Sequence, residues 1–155
     1  MKLTSLCYIE RDGAYLMLHR VKKKNDCNQD KWIGVGGKFE EGESPYQCVR
    51  REAMEETGLY LDELRFRGIV TFVSDQWETE YMHLFTCSRF SGTAHPCDEG
   101  VLEWICKEKL YGLPMWEGDR IFLELLDTDR PFFSLKLTYQ GETLAAAELD
   151  GEVIR

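Results

Sequence analysis

Long apolar runs, positive charge and paired cysteines are what this chain of 155 residues has least of. No apolar stretch approaches the roughly 18 residues that a membrane-spanning helix needs. The opening Met1-Lys2-Leu3-Thr4-Ser5 lacks the apolar core of a secretory leader. Membrane insertion and export are therefore not expected, and the sequence predicts a cytoplasmic protein. Lys and Arg total 19 against 28 Asp and Glu, a formal charge of −9. Such a chain lacks the excess cation on which affinity for polymeric nucleic acid and anionic lipid is built. A small anionic substrate is still possible, because bound divalent cations invert the local sign of a site. The six cysteines stand singly, at positions 7, 27, 48, 87, 97 and 106, with no Cys-x-x-Cys pair and no His at zinc-finger spacing. A structural zinc site or redox motif is thus not expected, and reduced thiols serving mostly as small core residues are. There is no internal repeat, low-complexity run or linker, so one domain spanning 1–155 is expected. Nothing in the chain points to a protein partner.

What is present is the composition of an ordinary globule, 43% apolar and 30% charged. Apolar-rich runs at Leu3–Ile9 and Ala14–His19 flank Asp12-Gly13, a strong hairpin signal. A polar, basic loop follows over 21–31, then a glycine cluster at Gly34, Gly36 and Gly37. The clearest helix covers 45–57: Ser44 as cap, Pro45 at the first helical position, Gln47 completing a capping box and Gly58 as terminator. Strands are predicted at 67–73, 81–88 and 101–106, a helix at 119–127, and a closing hairpin at 133–139 and 143–149. This order is that of a mixed sheet with helices on its faces, an α/β fold.

The helix over 45–57 carries Glu52, Glu55 and Glu56 at i, i+3 and i+4, within an arc of roughly 100°. Like charges at that spacing repel by a few tenths of a kcal/mol per pair, and the C-terminal half of a helix dipole also disfavours anions. A solvated acidic face is the ordinary explanation. Against it stand Tyr46, Val49 and Ala53 on the adjoining side and the glycine run upstream, which can bring backbone groups close to an ion or phosphate. Three carboxylates converging on one point suit Mg²⁺ or Mn²⁺ shared with substrate phosphates. The chemistry expected is metal-assisted attack on a phosphate.

Gly37, Glu43, Arg51, Glu52, Glu55, Glu56 and Gly58 together reproduce, in register, every fixed identity of the box that defines the Nudix hydrolases, with Ala53 and Leu59 at its apolar positions. Seven such identities coincide by chance on the order of once in 10⁸ to 10⁹ registers. The chain thus resembles the Nudix family, and the resemblance implies an α/β/α sandwich and hydrolysis of a nucleoside diphosphate linked to another group. It implies further that Glu52, Glu55 and Glu56 bind catalytic Mg²⁺, for which Mn²⁺ can substitute. Glu52 is the favoured general base, Arg51 and Glu43 pair to orient the carboxylates, and the Gly36 or Gly37 carbonyl completes the metal shell.

Outside the box, 31–38, 113–119 and 132–141 resemble the MutT-type 8-oxo-(d)GTP diphosphatases. That likeness makes Trp116 and Asp119 candidates for base recognition, Glu99 an additional metal ligand or base, and Arg20 a phosphate contact. A core aromatic, a solvated loop carboxylate and a surface charge are the ordinary alternatives for Trp116, Glu99 and Arg20. Lys22, Lys23 and Lys24 form a short basic run that could attract a triphosphate. The chain departs from the animal enzymes at Ile33, where they have Asn, and at Gly118, where they have a second Asp. The activity implied is conversion of an oxidised purine triphosphate to monophosphate and pyrophosphate. ADP-ribose, a nucleoside diphosphate sugar or a dinucleoside polyphosphate are alternative substrates, and a nucleotide sensor without catalysis is the alternative from another class.

Overall fold

The computed structural model describes residues 1–22 and 25–155, so Lys23 and Lys24 of the basic run lie outside the described residues. β1 (Lys2–Arg11) and β2 (Ala14–His19) form the expected hairpin. They turn at Asp12 and Gly13, whose φ values of 52° and 75° are the left-handed pair that a two-residue turn requires. β3 (Trp32–Ile33) and β4 (Val35–Lys38) lead to α1 (Pro45–Thr57), which is followed by β5 (Tyr60–Ser74), β6 (Glu80–Ser91) and β7 (Val101–Cys106). A 3₁₀ turn (Lys107–Gly112), α2 (Glu117–Leu126), β8 (Phe133–Gln140), β9 (Thr143–Leu149) and β10 (Glu152–Val153) complete the chain. The second helix starts two residues earlier than the apolar spacing suggests, which places Asp119 inside its first turn.

The sheet runs β10-β9-β8-β5-β6-β1-β2-β3, with β4 also paired to β1 and β7 to β2. β1 lies parallel to β6 and β5 parallel to β8, while the remaining pairs are antiparallel. Side-chain alternation then builds two cores. Cys7, Ile9, Leu16 and Phe85 pack with Val49 and Ala53 of α1, whereas Leu6, Tyr8, Tyr15 and Met17 pack with Phe122, Leu123 and Leu126 of α2. One helix thus covers each face, the α/β/α arrangement that the resemblance implies.

β5 serves both cores by slipping phase. Leu64 and Phe66 join the α1 side, yet Val70 and Phe72 join the α2 side, although all four are even-numbered. The register against β6 shifts between Phe66 and Gly68, leaving Arg67 as an extra residue. Such a bulge exchanges the faces of every residue beyond it. The buried guanidinium of Arg67 donates to the carbonyls of Thr128 (2.9 Å) and Leu126 (3.4 Å), closing the C-terminal end of α2. Cys7, Cys48, Cys87 and Cys97 are buried, Cys27 is partly buried, Cys106 is exposed, and all six are free thiols.

Candidate active site

The acidic face depends on a well-terminated helix. The Ser44 hydroxyl accepts from the Gln47 amide (3.1 Å), the Gln47 side chain accepts from the Ser44 amide (2.9 Å), and Gly58 ends α1 at φ 80°. Arg51 is the hub of the charges on this face. Its guanidinium donates to both oxygens of Glu43 (2.6 and 2.9 Å), to Glu52 Oε1 (2.8 Å), to Glu55 Oε2 (3.3 Å) and to the Lys38 carbonyl (2.9 Å). The paired hydrogen bonds from Arg51 hold the Glu43 carboxyl at about 2, well below the usual range.

The other two glutamates of the helix face differ sharply in burial. Glu55 is largely exposed, its side chain 58% accessible, while Glu56 is buried at 6%. Glu56 Oε1 accepts from the Gly36 amide (3.1 Å), and its Oε2 has no hydrogen-bond partner. Burial first, then the charges of Glu99 and Glu52, push the Glu56 carboxyl up to about 8. Burial raises Glu52 as well, against the opposing hydrogen bond from Arg51. The helix spacing predicts carboxylates converging on one point, and here the structure differs. Among the described residues no three Asp, Glu, His or Cys side chains are gathered closely enough to enclose an ion. Each carboxylate is held by a different partner: Arg51 binds Glu52 and Glu55, the Gly36 amide binds Glu56 and Arg20 binds Glu99.

A divalent cation nevertheless fits this donor set. The unpartnered Oε2 of Glu56 is a buried oxygen that lacks a positive partner, and hard cations take carboxylate and carbonyl oxygens. Gly37 lets the Glu52 carboxylate approach the backbone closely: a Cβ there would lie 2.5 Å from it and push that carboxylate aside. The Gly37 carbonyl lies on β4, paired in register with Ser5 of β1, and also receives a long thiol contact from Cys48 at 3.5 Å.

A cavity of about 380 Å³ opens beside these groups and brings together Gly37, Glu52, Glu99, Arg20, Trp116 and Asp119. Glu43, Arg51, Glu55 and Glu56 stand outside its lining. Arg20 is buried and held between Asp26 (2.8 Å) and Glu99 (2.9 Å), so it is no free surface charge. Lys22 spans the same loops, donating to the Cys97 carbonyl at 2.9 Å. At the far end Trp116 packs edge-on against Phe72 and Tyr139, and its indole N–H donates to Asn28 Oδ1 (3.0 Å). Asp119 is 7% exposed, and burial, reinforced by the charge of Glu80, pushes its carboxyl up to about 8. Burial thus favours the neutral acid, a form able both to donate and to accept a hydrogen bond.

Ile33 lines the cavity as an apolar wall. Gly118 has a packing reason: a Cβ there would lie 2.5 Å from Leu137 Cδ1 and 2.6 Å from the Tyr139 hydroxyl, which itself accepts from the Gly118 amide at 2.7 Å. A second carboxylate cannot stand at 118 without displacing both neighbours. Three further lining residues, Asn28, Phe72 and Glu80, are absent from the sequence-based candidates. Asn28 lies in a loop that carries no periodic signal. Glu80 had one, since it continues the in-facing series of Met82 and Leu84 along β6.

The NUDIX domain family matches residues 3–126. The chain belongs to the Nudix family, and it is a Nudix hydrolase. It is 33% identical over 142 residues to a zebrafish (Danio rerio) protein named oxidized purine nucleoside triphosphate hydrolase, covering 90% of this chain and 88% of that one. A Bacillus subtilis Nudix hydrolase is 29% identical over 155 residues, covering 96% and 94% of the two chains. Among solved structures, a MutT protein from Bacillus halodurans superposes with a TM-score of 0.84 at 27% identity, covering 98% of this chain and 99% of that one. Nudix hydrolases act on small nucleotide derivatives and generally use divalent cations.

Proposed function

We propose that the protein is a Mg²⁺-dependent nucleoside triphosphate diphosphatase that converts an oxidised purine triphosphate of the 8-oxo-dGTP class to monophosphate and pyrophosphate. The observation that carries this reading is a shared cavity, lined by Glu52, Gly37 and Glu99 and also by Trp116 and Asp119. A triphosphate at the acidic end leaves its base beside the aromatic wall. The zebrafish relative's name agrees with this substrate class.

Glu52, Glu55, Glu56, Glu99 and the Gly37 carbonyl would hold the cation, with Mn²⁺ able to replace Mg²⁺. When bound, the cation neutralises phosphate charge and lowers the pKa of the attacking water. Glu52 is the one carboxylate of the α1 trio that lines the cavity, and Arg51 occupies its Oε1, leaving Oε2 to take the proton of that water. Glu99 is the alternative base. Glu43 positions Arg51 and through it Glu52. Arg20 lies where its guanidinium can meet phosphate oxygens once Glu99 turns to a cation. Trp116 offers its ring and neutral Asp119 its carboxyl to the base.

Ile33 and Gly118 favour a second reading within the family, another nucleoside diphosphate derivative such as ADP-ribose, a nucleoside diphosphate sugar or a dinucleoside polyphosphate. Retention of every acidic position of the box argues against a sensor without catalysis. The test is steady-state kinetics with Mg²⁺ on 8-oxo-dGTP, dGTP, 2-oxo-dATP, ADP-ribose and a diadenosine polyphosphate. A kcat/KM for 8-oxo-dGTP well above that for dGTP is expected. Equal rates on plain and oxidised nucleotides, or preference for ADP-ribose, would discard the base-recognition argument and keep the carboxylates.

A further inference from the structure

The base end of the cavity holds a second carboxylate that the box and its flanking motifs leave without a role. Glu80 begins β6 and points to the same face as Met82 and Leu84, so a charge occupies an in-facing row that is otherwise apolar. In register it lies between Phe72 of β5 and Lys2 of β1. Its side chain is only 15% exposed. Thr4 Oγ1 donates to Glu80 Oε2 at 2.7 Å, and Lys2 Nζ stands 3.5 Å from Oε1. Glu80 and Asp119 both line the cavity, as do Trp116 and Phe72, whose rings meet edge to face at 5.2 Å. The two carboxyl oxygens have about four lone-pair sites, so these two contacts leave acceptor capacity on a residue that lines the cavity.

We infer that Glu80 is a base-discriminating residue of this site, which accepts the exocyclic amino group at C2 of a guanine-type base while Asp119 takes the adjoining N1–H and O6. This rests on the reading of the cavity as a nucleoside triphosphate site. The two acids divide the work by position: Asp119, as an acid, can present one donor and one acceptor, and Glu80, which already accepts from Thr4, presents acceptor oxygens. A guanine edge supplies the matching sequence of one acceptor and two donors. An adenine edge satisfies Asp119 but leaves Glu80 facing a C2–H, with a partly desolvated carboxylate deprived of water. Sites built around a substrate N–H reject the analogue that lacks it, because the protein group is left unpaired. Since packing keeps position 118 free of a side chain, the second carboxylate reaches the base from β6 instead.

The experiment compares kcat/KM for deoxyguanosine and deoxyinosine triphosphates, each also in its 8-oxo form, in the parent, Glu80→Leu and Glu80→Gln. The two nucleotides differ only in the C2 amino group. The parent is expected to favour the guanine compound by about tenfold or more. The ratio falls toward one in Glu80→Leu and is partly kept in Glu80→Gln, whose amide oxygen still accepts. If Glu80 only anchors Lys2 and Thr4, Glu80→Leu lowers the melting temperature and leaves the ratio unchanged, which overturns the assignment. A parent that does not discriminate the pair overturns it without any variant. Absence of turnover on every triphosphate overturns the diphosphatase reading itself, and this inference with it.

Discussion

Glu52, Glu56 and Asp119 show how one side-chain type is put to three uses by its surroundings. Glu52 keeps an oxygen toward the cavity, so Glu52→Gln is expected to lower turnover by about 10²-fold or more while the far-ultraviolet spectrum stays unchanged. Near-normal turnover would move the base to Glu99. Asp119, buried and pushed up to about 8, stays protonated in the folded chain where the unfolded chain has released its proton. Stability therefore falls as pH rises from the ordinary carboxylate range to about 8 and levels off above it. Asp119→Asn is expected to melt higher than the parent at pH 8, by a margin that shrinks as pH falls toward 4; a margin independent of pH would contradict the shift. At this scale the box was legible in sequence because helix spacing fixes which side chains share a face. The tilt of Glu52 and Glu55 toward Arg51 was not legible, since it depends on side-chain geometry that spacing does not contain.

Among the elements, α1 was readable to the residue because its caps are local chemistry: Ser44, Gln47 and Gly58 act within one turn of the ends. Replacing the cap with Ser44→Ala should cost about 1 kcal/mol in urea unfolding with the slope unchanged; no loss would mean that the helix is held by packing alone. β5 was half missed. Its first stretch carries Asp62, Glu63 and Arg65, which dilute any alternation, and the bulge at Arg67 reverses the phase of the residues beyond it. No periodic pattern survives such a slip, so the strand emerges only once its neighbours in space are known. β10 escaped for a different reason: at two residues it is too short to show a period, whereas the resemblance over 31–38 implies one strand leading into the box, which the structure divides at Gly34 into β3 and β4. The loop over 21–31 was legible as a loop, but nothing in it marks Asn28 as the partner of Trp116.

For the whole molecule, an acidic chain gathers carboxylates around Arg51 and Arg20 beside a cavity, and Glu56 keeps a buried oxygen without a hydrogen-bond partner. A cation bound there stabilises the folded state by mass action. Added Mg²⁺ should raise the melting temperature saturably, and a chelator should reverse the gain. Glu56→Gln should melt higher than the parent without metal and gain less from Mg²⁺; an undiminished gain would place the cation elsewhere. The layered fold holds Glu52 on α1 and Asp119 on α2 on opposite faces of one sheet, so the distance between chemistry and recognition is set largely by how the two helices pack on it. The most direct test of the proposed reaction is product analysis of the purified protein with 8-oxo-dGTP and Mg²⁺. Monophosphate and pyrophosphate in equal amounts, lost on chelation, are expected; release of diphosphate and inorganic phosphate, or no turnover, would contradict the proposal.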